Sequence, residues 1–198
     1  MKIGVLALQG AFLEHRLMIE HLGETAIEIR QKKDLNGLDG IILPGGESTV
    51  QGKLLKELDM FDSVKDMISD GLPTMGTCAG MILLSAEIES KEAPHLGTLP
   101  VRVRRNAYGR QLGSFETTGN MGTLNDLPMV FIRAPFITEV SDEVSVLSKV
   151  DGNIVAVEYQ NQLAMSFHPE LTADTRVHEY FLQKVRDSRA GRIVKDII

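Results

Sequence analysis

Pro73-Thr74-Met75-Gly76-Thr77-Cys78-Ala79-Gly80-Met81-Ile82-Leu83-Leu84 sets the only cysteine of the chain between two glycines, behind a short strand-like run and ahead of an apolar helical one. This is the pattern of a nucleophile elbow, with sulfur in place of the usual serine oxygen. In such an elbow the reactive residue stands on a tight strand-to-helix turn. Gly76 and Gly80 fit that turn because side chains there would collide with it and with the packed helix. The thiol is then presented at a helix N-terminus, whose dipole favours thiolate, and the backbone N–H of Ala79 can point at a developing oxyanion.

Working outward, the flanking patterns predict parallel α/β topology. Residues 2–8 form a continuous apolar run suited to a strand buried on both faces, and residues 12–22 carry Phe12, Leu13, Leu17, Ile19 and Leu22 at helical spacing. Strands are expected over 25–29, 40–43 and 73–76, with helices over 49–58, 61–69 and 79–84. After that helix the character changes: 101–105, 113–118, 129–132, 144–150, 154–159 and 163–167 read as successive strands. An antiparallel portion is therefore expected beside the parallel sheet. A last helix is expected over 175–185, and the charged stretch from 186 onward is weakly patterned and expected to fray. The single domain spans 1–186, with 187–198 as its tail.

Composition narrows the class. The 198 residues suffice for one substantial core, and 43% hydrophobic content is ordinary for a globular domain. One cysteine precludes an intramolecular disulfide and suits a reducing cytosol. The apolar runs are too short to span a bilayer. A formal net charge of −6, with no basic stripe and no tryptophan, gives nucleic acid no electrostatic footprint.

A thiolate needs a base, and of the five histidines only His168 has a context that constrains it, in Ser166-Phe167-His168-Pro169-Glu170. Proline disfavours helical backbone at the preceding residue, so His168 is expected to be extended, with Glu170 projecting to the same side two residues on. The carboxylate can then orient the imidazole, which gives triad logic in the order Cys78, His168, Glu170. His21 and His178 read as helix-surface residues and His95 as a loop residue. No metal-ligand spacing is present, and no cofactor is expected.

Leu43-Pro44-Gly45-Gly46-Glu47-Ser48-Thr49 follows one strand and opens a helix but lacks the Gly-Lys-Ser/Thr ending of a P-loop. Gly46 is the better candidate for a second oxyanion donor. Ser48 or Thr49 as a helix N-cap is an equally open reading of the same loop.

Taken together these residues resemble the class I, triad-type glutamine amidotransferases and, within them, the glutaminase subunits of pyridoxal 5'-phosphate synthase. The resemblance runs nearly end to end. It rests on Leu8-Gln9-Gly10-Ala11 with Glu14-His15, Pro44 to Thr49, Gly76 to Gly80, Arg105-Asn106 with Gly109-Arg110-Gln111, Phe131-Ile132-Arg133-Ala134-Pro135, and His168-Pro169-Glu170-Leu171. It implies a flavodoxin-like three-layer fold with a mixed, mostly parallel central sheet and helices on both faces. It also implies L-glutamine as substrate, held by Gly46, Glu47, Ser48, Arg105, Ile132 and Arg133, with Cys78, His168 and Glu170 as the triad. The implied partner is a separate synthase subunit that receives ammonia. The loop Gln9-Gly10 and the following Glu14, His15 and Arg16 lie at the carboxyl edge of the strands and are the expected partner-facing residues. Another elbow hydrolase such as a γ-glutamyl hydrolase, a glutaminase serving a different synthase, and a mainly regulatory subunit remain open, although an intact triad argues against the last.

Overall fold

The computed structural model describes residues 1–89, 93, 95–105 and 113–195. The Asn106 and Gly109-Arg110-Gln111 motif lies outside the described residues. In chain order the elements are β1 (Lys2–Leu6), α1 (Phe12–His21), β2 (Thr25–Ile29), a 3-10 turn (Lys32–Leu35), β3 (Gly40–Leu43), α2 (Ser48–Glu57), α3 (Phe61–Ser69), β4 (Thr74–Thr77) and α4 (Ala79–Leu84). There follow β5 (Ser85–Ile88), β6 (Leu99–Arg104), β7 (Ser114–Met121), β8 (Leu124–Ile132), β9 (Phe136–Val140), β10 (Ser145–Val150), β11 (Asn153–Tyr159), β12 (Gln162–Met165), a 3-10 turn (Pro169–Leu171) and α5 (Arg176–Lys195).

The main sheet runs β2-β1-β3-β4-β12-β11-β9-β6-β5, with β10 on β11, and β7 and β8 form a separate hairpin. From β2 to β12 every neighbour is parallel. Beyond β12 the pairs to β11, β9 and β6 are antiparallel, and the β6–β5 pair is parallel again. The expected antiparallel portion is therefore a continuation of the same sheet. Side chains alternate across it. Leu6, Ile41 and Leu43 join α2, α3 and α4 through Leu55, Val64 and Met81, whereas Ile3, Val5 and Ile42 join α1 and α5 through Ile19, Val177 and Phe181. Two buried layers on opposite faces make the three-layer α/β fold, and the near-continuous apolar strands follow from burial on both sides.

Two elements escaped the sequence patterns. β5 continues straight from α4 without a turn, and β9 follows Pro135, which reads as loop. Helix α5 runs on through Arg186 to Lys195, beyond the apolar spacing that ends at Val185. On α1, Leu13 and Leu17 are 45% and 51% exposed although both fit an apolar stripe.

Candidate functional site

The carboxyl ends of the parallel strands deliver the site. β1 supplies Gln9-Gly10-Ala11, β3 supplies Pro44 to Glu47, β4 supplies Cys78 and β12 supplies His168. The β1 and β3 loops flank the point where strand order reverses, the usual crevice of an open α/β sheet.

Cys78 has φ 48° and ψ −102°, a backbone conformation that costs a non-glycine residue about 1–3 kcal/mol and persists only where the surroundings enforce it. Its own N–H donates to the Met165 carbonyl at 2.8 Å, tying β4 to β12. The glycine frame acts as expected. A Cβ on Gly76 would lie 2.8 Å from the Gly80 carbonyl carbon, and one on Gly80 would lie 1.9 Å from the Leu43 oxygen. Cys78 Sγ also lies 3.9 Å from the Ile132 carbonyl oxygen.

His168 is anchored by its N–H to the Val130 carbonyl at 2.8 Å, and its ring occupies space that a side chain on Gly45 would fill, since a Cβ there would sit 2.2 Å from Cε1. Nδ1 meets Glu170 Oε1 at 2.7 Å, which leaves Nε2 for the hydrogen bond to Cys78. The contact with Glu170 is made, but by another route than an extended strand, because Glu170 sits in the 3-10 turn that Pro169 opens. Burial pulls the imidazolium down, yet the hydrogen bonds to Cys78 and Glu170 and their charges outweigh it and raise its pKa from 6.5 to about 10. Burial likewise pushes the Glu170 carboxyl up, and the facing His15 and the His168 partner overcome it and hold it below the ordinary range.

Around the thiol, the pocket is lined by Gly46, Glu47, Ser48, Arg105, Ile132 and Arg133. The six residues expected to hold substrate are thus brought together. Arg133, at φ 43°, reaches Glu47 at 3.4 Å across the mouth, and Arg105 Nη1 donates to Thr49 Oγ1 at 3.2 Å. The first pair is exposed on both sides and holds weakly, so substrate charges can compete for it. Neither Ser48 nor Thr49 is the N-cap of α2, a position taken by Glu47. Ser48 Oγ is instead buried with no hydrogen-bond partner among the described residues. Ala79 is buried at the first turn of α4 and is not among the residues that line the pocket.

The β1 and β3 loops are stapled together. Ala11 N–H donates to the Gly45 carbonyl at 3.0 Å, Glu47 N–H to Gln9 Oε1 at 2.7 Å, and Gln51 Nε2 to the Gln9 carbonyl at 2.9 Å. Gly10 is obligatory: at φ +98° a Cβ would lie 1.8 Å from the Gly45 oxygen.

Two histidines depart from expectation. His15 is wholly buried rather than partner-facing, and His178 is wholly buried rather than on the surface of its helix. Their rings meet at 2.9 Å, and His15 Nε2 lies 3.3 Å from Glu170 Oε2. The spacing held the signal. His15 precedes the buried Ile19 by four residues, and His178 precedes Phe181, Leu182 and Val185 by three, four and seven, the inner stripe of α5. Of the other partner-facing candidates Glu14 is exposed, and Arg16 is half-buried and paired with Glu28 at 2.9 Å.

Among the described residues no cluster could hold a metal ion, and no helix is long and apolar enough to cross a membrane.

A thiol on a strained elbow, an imidazole and carboxylate in line behind it, and a mouth carrying both charges have the geometry of a cysteine-triad hydrolase on an α/β sheet. The model of the SNO glutamine amidotransferase family matches residues 5–187, and the chain belongs to that family. It is 53% identical over 192 residues to a Desulfitobacterium hafniense protein named pyridoxal 5'-phosphate synthase subunit PdxT, covering 96% of each chain. A protein of the same name from Methanocorpusculum labreanum is 54% identical over 186 residues, covering 93% of this chain and 98% of the relative. A solved structure described as a glutamine amidotransferase superposes with a TM-score of 0.88 at 45% identity, covering 92% of this chain and 98% of that one.

Proposed function

We propose that the chain is the glutaminase subunit of pyridoxal 5'-phosphate synthase, hydrolysing L-glutamine to L-glutamate and passing the ammonia to a separate synthase subunit. The observation that carries this reading is the juxtaposition of Cys78 and the His168–Glu170 pair with a pocket mouth bearing Glu47, Arg105 and Arg133. Free glutamine carries a carboxylate and an ammonium beyond its side-chain amide. The arginines match the first, Glu47 matches the second, and the buried Ser48 hydroxyl offers a further polar contact.

In the reaction Cys78 Sγ adds to the amide carbon, and the Gly46 and Ala79 N–H groups receive the oxyanion. His168 protonates the departing nitrogen, which leaves as ammonia, and the C–N bond breaks to give a glutamyl thioester. Water, deprotonated by His168, then attacks the thioester carbon and releases glutamate with the thiol restored. The family relationship and the fit of both substrate charges favour free glutamine over a γ-glutamyl peptide.

The test measures ammonia released from glutamine by the isolated chain and by the chain with a saturating synthase subunit. Low activity alone and clear stimulation by the partner are expected, because the Gln9-Gly10-Ala11 segment is hydrogen-bonded to the Gly45-Gly46-Glu47 loop, so a partner seated on the first moves the donors of the second. One misplaced oxyanion donor accounts for about a hundredfold. Charge reversal at the exposed Glu14 should weaken the stimulation. Full activity without partner, or release only from γ-glutamyl peptides, would sink the proposal.

Arg105→Ala and Arg133→Ala are expected to raise the KM for glutamine by about tenfold while lowering kcat far less, since binding lost equally from ground and transition states leaves kcat in place. Steady-state kinetics of the complex decide this. Unchanged KM in both variants would remove the arginines from the substrate site.

A further inference from the structure

The triad carboxylate does not end the chain of buried polar groups. Glu170 Oε1 faces His168, and Oε2 faces His15 Nε2 at 3.3 Å from the opposite side. His15 Nδ1 in turn meets His178 Nε2 at 2.9 Å, joining α1 to α5 across 163 residues of sequence. His15 Nε2 also lies 3.1 Å from Thr77 Oγ1, the oxygen that accepts the Gly45 N–H at 3.1 Å. One imidazole therefore touches the acid of the triad, the residue before the nucleophile, and through it the glycine loop that forms the pocket wall.

We propose that His15, fixed by His178, is a positioning residue of the glutaminase site: it turns its Nε2 N–H toward the buried, otherwise unpartnered Oε2 of Glu170 and keeps the carboxylate in the orientation that holds His168 against Cys78.

The tautomers follow from the acceptors. Glu170 Oε2 is buried without a hydrogen-bond partner among the described residues, and His15 Nε2, hydrogen-bonded to Thr77 Oγ1 at 3.1 Å, lies 3.3 Å from it. An ionised carboxylate only accepts, so an imidazole that serves Oε2 carries its proton on Nε2. His15 Nδ1 then accepts, and His178 donates from Nε2. The remaining His178 Nδ1 is a lone pair with no hydrogen-bond partner among the described residues. Both rings are neutral at ordinary pH: burial dominates and lowers His15, with Glu170 opposing, and burial together with His15 takes His178 down to about 3. The hold on Glu170 is then the electrostatic pull of a neutral N–H dipole 3.3 Å from Oε2 rather than a full ion pair. A purely structural role explains the arrangement poorly, because two buried imidazoles with an orphaned nitrogen hold a fold together no better than apolar side chains of like volume. What apolar side chains cannot do is orient a carboxylate.

This inference rests on the glutaminase reading, and its test separates the two. Ammonia release by the complex with its synthase subunit is measured for wild type, His15→Leu and His15→Gln, each alone and in a Glu170→Ala background, with melting temperatures recorded alongside. His15→Leu should lower kcat by about tenfold, equivalent to about 1.4 kcal/mol of transition-state stabilisation, with the KM for glutamine unchanged. His15→Gln, whose amide offers one donor and one acceptor, should recover most of that loss. In the Glu170→Ala background His15→Leu should have no further effect, because the group it acts through is gone. A folded His15→Leu protein with wild-type kcat, a loss confined to KM, or a loss that persists without Glu170 would overturn the proposal. Should His15→Leu not fold, imidazole nitrogen NMR shifts of the wild-type protein decide: protonation of His15 at Nε2 is expected, and protonation at Nδ1 alone would refute it. A wild-type complex that releases no ammonia would instead defeat the glutaminase reading.

Discussion

Cys78→Ala is expected to eliminate ammonia release, by about ten-thousand-fold or more, while the domain stays folded. The loss is that large because thiol, imidazole and carboxylate act as a unit, and removing the nucleophile leaves only binding and oxyanion stabilisation. Folding survives because the elbow is held by groups other than sulfur: the Cys78 N–H to Met165, and the close approach of Gly80 to the Leu43 carbonyl. The strained φ of 48° gives a second arm. Glycine tolerates that conformation without steric cost, so Cys78→Gly should melt no lower than Cys78→Ala although both are inactive. Ammonia assay and thermal melts measure the pair, and a glutamine-like electrophile should label wild type at Cys78 alone. Normal turnover by either variant would end the mechanism.

The elbow was legible in the sequence because backbone crowding forces it: no residue larger than glycine fits at 76 or 80, so the motif is printed in local order. His168 and Glu170 were legible for a similar reason, since a proline between them restricts the chain, even though the turn that joins them is 3-10 rather than extended. The pairing of His15 with His178 was not. Each lies among charged neighbours on its helix, and only packing against opposite sides of one carboxylate makes them partners, a long-range fact that helical spacing hints at but does not assign. Leu13 and Leu17 show the converse, an apolar pair one turn apart left at the surface. Local rules placed them inward, but α1 buries the face that carries His15 and Ile19 and leaves them outward. The strands β5 and β9 were obscured where an element begins without punctuation or directly after proline.

The other large effect concerns the base and its orienting acid. His168→Asn should cost kcat about a thousandfold or more, because His168 is the side chain hydrogen-bonded to Cys78 that can carry a proton between thiol, leaving group and water. Glu170→Gln should retain more activity. Its amide can keep an oxygen toward His168 Nδ1 only by turning its NH2 toward His15, where two donors would meet. His15 and His178 can relieve that clash by shifting their protons together, so that His15 Nε2 accepts and Nδ1 donates to His178 Nε2. The same pair sets a pH signature in stability. A His168 pKa raised from 6.5 to about 10 contributes stability that is fully present below 6.5 and is lost as pH rises through about 10. The lowered Glu170 acts in the opposite sense, contributing above its ordinary 4.5 and failing as pH falls through its folded value. The melting-temperature difference between wild type and His168→Asn should therefore shrink steadily from pH 6.5 to 10, the range set by the two His168 values. In Glu170→Gln the imidazolium keeps Cys78 but has lost the charge of Glu170, and the alkaline decline should begin at lower pH than in wild type. Melting curves across that range, with ammonia release measured in parallel, test both halves. A gap between wild type and His168→Asn that stays constant to pH 10 would show that Cys78 and Glu170 do not hold the imidazolium.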